Sequence, residues 1–185
     1  MAKIDKIKLP NTKIKLLQKL LAKAIDEFKK TNKIRGVDFS KRLKKLIELY
    51  NERKDFQTMQ SDVLDDVADQ FADLFSELVK ERNSYKDLGI DFEEKAFYDI
   101  LKSIAAKHEF DYSHDKLIVL SREIKKIIDD KARYTDWSHR DDIKAELKVE
   151  LILVLAEHGY PAVTKDEVFK EIFEQAENFK KYRTE

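Results

Sequence analysis

Cysteine is missing from this sequence altogether, and only three glycines and two prolines occur in its 185 residues. Without cysteine there is no disulfide framework, no thiol nucleophile and no thiolate-based zinc site. A reducing compartment suits such a chain, and the expected location is cytoplasmic. Ordinary usage is roughly 7% glycine and 5% proline. Scarcity on this scale excludes an all-β sandwich or barrel, whose many tight turns draw on those two residues. The glycines stand alone at 36, 89 and 159, so the chain has neither a phosphate-gripping loop nor a dinucleotide fingerprint. Long apolar runs are missing too. The longest, Leu151 to Ala156, falls well short of the ~18 residues a membrane span needs. Nor does the opening Met-Ala-Lys-Ile-Asp carry the apolar core of a signal peptide. No membrane association is expected.

What is present is 42% hydrophobic and 40% charged residues, with 11 Phe and 7 Tyr to supply a core. That balance argues for a globular chain with solvated helix faces and against disorder. The length suits one domain, or one domain with a helical extension. A formal net charge of zero hides an asymmetry: residues 1–54 hold 17 Lys and Arg against 6 Asp and Glu, and residues 55–185 hold 20 against 31. A +11 arm beside a −11 body points to a polyanion or an acidic protein surface as the arm's partner. The alternative is a solvated lysine-rich helix pair lying on its own acidic body. Lys41, Arg42, Lys44 and Lys45 are the densest basic cluster and the candidate basic contacts.

Helical periodicity runs through the whole chain. Ile14, Leu17, Leu21, Ala24 or Ile25, and Phe28 form a stripe at three-to-four spacing, widened by Leu16 and Leu20, which Asn11 or Thr12 can cap after Pro10. Gly36 is expected to break the pattern, with a second helix from about Ser40 carrying Leu43, Ile47 and Leu49–Tyr50. A long third helix starts near Ser61 and repeats Val63, Leu64, Val67, Phe71, Leu74, Phe75 and Leu78, with Gly89 as its C-terminal glycine. Asp91-Phe92-Glu93-Glu94 reads as a capping box. It opens a helix that is expected to bury Phe92, Ala96, Phe97, Ile100, Leu101 and Ile104. A fifth helix begins near His114. Ser138 is expected to cap a sixth, which carries Ile143, Leu147, Val149, Leu151, Ile152 and Leu155 and stops at Gly159-Tyr160-Pro161. Thr164-Lys165-Asp166-Glu167 reads as a second capping box before a last helix with Val168, Phe169, Ile172, Phe173 and Phe179. The expected fold is all-α: about seven helices in an irregular bundle with an N-terminal connector helix. The expected division is a basic connector, 1–55, and an acidic C-terminal domain, 56–185, with a seam at 55–61; the alternative is one continuous domain over 12–182.

Residue types that carry chemistry do not converge. His108, His114, His139 and His158 make no i, i+4 pair and no metalloprotease motif. Asp65-Asp66, Asp129-Asp130 and Asp141-Asp142 are neighbours in sequence, pointing about 100° apart on a helix. Glu93-Glu94-Lys95 and Glu146-Leu147-Lys148 match a Glu-x-Lys string of metal-dependent nucleases. That chemistry needs a strand and an upstream aspartate around Mg²⁺, whereas both strings fall in helical pattern. No catalytic, cofactor-binding or metal-ligating residue is assigned. The most distinctive stretch, Arg133 to Asp142, holds the only tryptophan. Tyr134, Asp136, Trp137, Arg140 and Asp141 are either a structural corner that staples the loop onto the next helix or a partner-binding knob.

Five strings, in order, resemble the C-terminal helical domain of type I restriction enzyme R subunits. They are Asp38-Phe39-Ser40-Lys41-Arg42-Leu43 with Tyr50-Asn51; Glu94 through Leu101; Tyr134-Thr135-Asp136-Trp137 with Arg140 through Ala145; His158-Gly159-Tyr160-Pro161; and Glu174 through Phe179. The likeness runs from about residue 14 to 182. It implies a part of a large motor endonuclease, whose nuclease and ATPase domains lie elsewhere in a longer polypeptide. ATP and Mg²⁺ belong to those other domains, and no cofactor is expected here. The implied partners are the methyltransferase and specificity subunits, with DNA in the full assembly. The implied role is to attach the R subunit to the methyltransferase core.

Overall fold

The computed structural model describes residues 10–54, 61–132, 136–161 and 165–183. Seven α-helices and one short 3₁₀ turn account for the regular structure among them, with no strand. The all-α expectation is borne out. Two compact units emerge: Met1–Lys29 with Arg35–Ser84, and Lys30–Ile34 with Tyr85–Glu185. The divide after Ser84 is not at the charge reversal near residue 55, because side-chain packing and not charge sign decides which helices share a core.

Unit 1 is built from α1 (Pro10–Thr31), α2 (Lys33–Lys54) and α3 (Ser61–Asn83). The stripe read from sequence is the buried face of α1: Ile14, Leu17, Leu21, Ile25 and Phe28 are all in the core, Ala24 packs half-buried against it, and Leu20, expected to widen it, is exposed. Phe39, Leu43 and Tyr50 from α2 meet it, and Val67, Phe71, Leu74 and Leu78 from α3 close it. Each such side chain contributes about 1.5–3 kcal/mol of apolar burial, so neither α1 nor α2 can do without α3. Asn11 and Thr12 lie inside α1 rather than capping it, and Pro10 falls at its first described position. Proline suits a first helical turn, where its missing N–H has no intrahelical partner to lose.

Gly36 does not break a helix. It sits buried within α2, whose start is at Lys33, and the break is at Asn32 instead. A Cβ on Gly36 would lie 2.5 Å from Lys29 Cγ and 2.9 Å from Lys29 Cα. The glycine is there because the chain passes within contact distance of the α1 backbone, a tertiary demand that local pattern cannot show.

Unit 2 holds α4 (Phe92–Lys107), α5 (His114–Ala132), the 3₁₀ turn Trp137–His139, α6 (Asp141–Glu157) and α7 (Lys165–Arg183). Helix α4 is central, packing on both α5 and α7, while α6 packs on the same two. The capping box is as read: Asp91 Oδ1 accepts from Glu93 N at 2.9 Å and Glu94 N at 2.8 Å, and Asp91 N donates to Glu94 Oε2 at 2.9 Å. Phe92 is an exception to its expected burial; as the first residue of the helix it stays half exposed, its ring edge-on to Phe179. Ser138 does not cap α6. It lies inside the 3₁₀ turn, and Arg140 takes the N-cap position without a side-chain cap bond. Thr164 of the second expected capping box lies outside the described residues; α7 does carry Asp166 and Glu167 in its first turn.

Three turns in unit 2 close with the same bond pair, in which N–H groups reach back five and three residues around a left-handed residue. At Gly159 (φ 67°), Tyr160 N donates to Leu155 O and Gly159 N to Ala156 O. Gly89 (φ 63°) does the same with Tyr85 and Lys86, but in a loop turn beyond the end of α3 at Asn83. At the end of α4 the left-handed residue is Glu109 (φ 55°), whose Cβ makes that conformation costly. Two substitutions separate these uses of backbone. Gly36→Ala is expected to destabilise by about 1–3 kcal/mol through overpacking, despite alanine's better helix propensity. Glu109→Gly is expected to stabilise by about 0.5–1 kcal/mol. Urea titration of each full-length variant checks both signs.

Candidate functional site

The α1–α2 break leaves backbone groups at residues 30–33 that need partners, and they find them within unit 2. Residues 30–34 belong to unit 2. There the carbonyl of Thr31 accepts from Gln175 Nε2 at 3.2 Å, and the carbonyl of Lys30 accepts from Asn178 Nδ2 at 3.0 Å. Lys33 N donates to Gln175 Oε1 at 2.9 Å. One buried amide on α7 therefore caps the end of one helix and the start of the next. Asn32, buried at the break, donates from Nδ2 to Asp99 Oδ2 at 2.7 Å. Asp99 in turn accepts from Lys95 Nζ, 2.6 Å from Oδ1 and 2.5 Å from Oδ2, one turn back along α4. Both ionic side chains are less than a tenth exposed.

Other polar contacts in unit 2 come from tyrosine and histidine side chains. Tyr160 OH donates to Leu101 O at 2.7 Å, and Tyr112 OH donates to His158 O at 2.8 Å. Burial pushes both phenols above their ordinary range. His158 Nε2 lies 2.9 Å from Glu123 Oε2, and His114 Nδ1 lies 2.8 Å from Tyr98 OH. His108 Nε2 meets Glu167 Oε2 at 2.8 Å, with Lys107 2.6 Å from the other oxygen. The bonds from His108 and then Lys107 hold the Glu167 carboxyl below its usual range. His139 Nδ1 is 3.2 Å from its neighbour Ser138 Oγ. The first three of these histidines tie one helix to another.

The Glu-x-Lys strings come apart in the fold. Glu93 pairs with Lys125 on α5, while Lys95 turns to Asp99. Glu146 pairs with Lys131, while Lys148 reaches Asp166 and lies over the Phe169 ring. Among the described residues, no group of three or more acidic or histidine side chains is placed to hold a metal ion.

Of the tryptophan stretch, residues 136–142 lie among the described residues. Trp137 is 1% exposed and part of the unit 2 core, with no acceptor for Nε1 among the described residues. Asp136 contributes its backbone carbonyl, which accepts from His139 N at 2.8 Å. Arg140 grips Asp142 through both Nε and Nη2, which holds the Asp142 carboxyl below its usual range. Asp141 is exposed at the first residue of α6, where negative charge favours the helix dipole. Tyr134 lies outside the described residues. The basic candidates sit on α2 in unit 1. Arg42 pairs with Glu77 and lies over the Phe39 ring, and Arg35 pairs with Glu81 at 3.1 Å. Lys44 is 3.7 Å from Glu48, and Lys41 and Lys45 are exposed. Sequence reading passed over a row on α1, where Lys15, Lys19 and Lys23 are all exposed at four-residue spacing. That spacing, which aligns side chains along one helix face, was the signal available.

Removing one partner of the buried pair isolates the other charge. Asp99→Ala is expected to cost about 3–5 kcal/mol, and the double replacement Lys95→Met with Asp99→Leu to recover most of it. Thermal melts of the three proteins test this; equal loss in the single and double variants would show that the pair's charges are not what matters.

Comparison with known proteins adds the family. Residues 1–182 match the family model described as type I restriction enzyme HindI endonuclease subunit-like, C-terminal. No curated protein and no solved structure matches the chain. Four of the five strings that carry the sequence resemblance supply the Asp99 and Gln175 bonds, the Tyr160 turn and the turn at Trp137. The fifth supplies Phe39 and Leu43 of the unit 1 core. The chain belongs to the family of C-terminal domains of HindI-like type I restriction enzyme endonuclease subunits.

Proposed function

We propose that this domain fastens the endonuclease subunit to the methyltransferase core of a type I restriction system, and so serves ATP-dependent DNA translocation and cleavage without performing either. The observation that carries this reading is how the reactive side chains are used. Asp99, His108, His158 and Tyr160 use their polar atoms to join one element to another, and Lys95 neutralises Asp99 within α4. That is the construction of a scaffold, and a scaffold in an endonuclease subunit acts by presenting surfaces. ATP and Mg²⁺ serve other domains of the subunit on this reading, and the specificity subunit selects the DNA sequence. The test is co-purification of the full chain with methyltransferase and specificity subunits of the same system. A complex that survives size exclusion is expected; a folded chain eluting alone would sink the proposal.

A second reading rests on the exposed lysine rows of unit 1. Lys15, Lys19 and Lys23 on α1, with Lys41 and Lys45 on α2, offer charge to a phosphate backbone. Phosphate contacts release counterions, so binding to duplex DNA should weaken steeply with salt. Replacing Lys15, Lys19 and Lys23 with Gln should lower the slope of log K against log salt by about 3. Gel shifts showing no binding at low salt, or the same slope for the variant, would remove DNA contact by this row.

A further inference from the structure

Helix α6 is apolar on two sides. Ile143, Leu147, Leu151, Val154 and Leu155 enter the unit 2 core, whereas Val149 and Leu153, one turn apart, are 55% and 56% exposed. A helix with a single buried stripe has polar residues on its opposite face. Here the sequence spends two large apolar residues where unit 2 does not cover them.

Leu153 lines a groove of about 520 Å³ between α5 and α6. The α5 wall is Glu123, Lys126, Ile127 and Asp130, and the α6 wall is Glu150, Leu153, Val154 and Glu157. Both walls follow the same i, i+3, i+4, i+7 spacing, so two parallel-sided helical stripes enclose an apolar floor of Ile127, Leu153 and Val154. A third helix laid along such a trough sets its own apolar stripe on that floor, the helix-in-groove mode of recognition. The rim chooses the helix's charge. Four carboxylates and one lysine line the groove. Glu123 shares His158 and Glu150 shares Lys131 at 3.1 Å, and the exposed Glu157 adds a further negative charge.

From this geometry we infer that the α5–α6 groove is the docking surface of the domain, and that its occupant is an amphipathic helix of a partner protein with lysine or arginine flanking the apolar stripe. This rests on the docking reading above and adds to it a surface and a partner chemistry. Leucine or a similar side chain of the partner covers Leu153 and Ile127, and its flanking cations lie along Glu150 and Glu157. An acidic helix would meet like charge on both walls and be rejected.

The probe is a synthetic helix of roughly 18 residues, about five turns, with leucine at the a and d positions and lysine at e and g. Titrated into the full chain, it should shift amide resonances at Ile127, Leu153 and Glu157 selectively. Leu153→Asp, at an exposed position that folding does not need, should weaken binding by about 10- to 100-fold. Glu157→Lys should weaken the lysine helix and strengthen the matching helix with glutamate at e and g. Resonance shifts elsewhere, no shifts at all, or binding indifferent to Leu153→Asp would overturn the assignment. So would a concentration-dependent dimer that Leu153→Asp abolishes, because the occupant would then be a second copy. Peptide binding without co-purification would leave this groove standing and remove the methyltransferase core as its partner. Co-purification unaffected by Leu153→Asp would do the reverse.

Discussion

The side-chain amide of Gln175 is the contact on which much of this structure turns. A break between two long helices exposes carbonyls on one side and amide hydrogens on the other. Each buried, unpartnered group of that kind costs about 1–3 kcal/mol. Glycine or a capping hydroxyl next to the break is the usual remedy. Here the remedy comes from more than 140 residues away, with Gln175 donating to Thr31 O and accepting from Lys33 N. Asn178 and Asp99 complete the set, and Lys95 neutralises Asp99. As a result five residues of the N-terminal region are structurally part of unit 2, and the core of unit 2 includes an ion pair that only a complete hydrogen-bond set can make tolerable.

This arrangement explains what could and could not be read from the chain. The stripe from Ile14 to Phe28, the Asp91–Glu94 box and the Gly159 stop depend on residues within a few positions of one another, and all three are where the sequence put them. Gly36, Asn32 and Ser138 are different. A glycine can mark a helix end or a close approach, and only the distance to Lys29 decides. Asn32 ends a helix because α4 and α7 wait for it, which no local window contains. Ser138 has the right chemistry for a cap, but the 3₁₀ turn at Trp137 moves the N-cap of α6 to Arg140, two residues past it. The single tryptophan offered a corner or a knob; its full burial places it in the core.

Charge was the least reliable guide to boundaries. The basic arm is not left to face solvent alone: α3 carries seven acidic residues against two basic ones, and Glu77 and Glu81 meet Arg42 and Arg35. A sign change along the chain therefore fell inside one packed unit. Ion pairs at partly exposed positions contribute on the order of 0–1 kcal/mol each, too little to define a domain against the burial of Phe39, Phe71 and their neighbours. The same weakness lets the remaining lysines, Lys15, Lys19 and Lys23 among them, stay exposed at little cost to the fold.

Helix α6 shows the opposite imbalance. A helix with a single buried stripe ordinarily carries polar residues on its opposite face. In unit 2 the neighbouring helices leave Val149 and Leu153 more than half exposed, Leu153 at the α5–α6 groove. Removing apolar surface from water is worth about 25 cal/mol per Å², so exposed leucine and valine at helical spacing represent stabilisation that folding alone leaves uncollected. The polar side chains do the reverse: Gln175, Asp99, His158 and Tyr160 are satisfied internally. On the proposed docking reading, apolar surface left exposed beside a charged rim is where the domain would meet its partner.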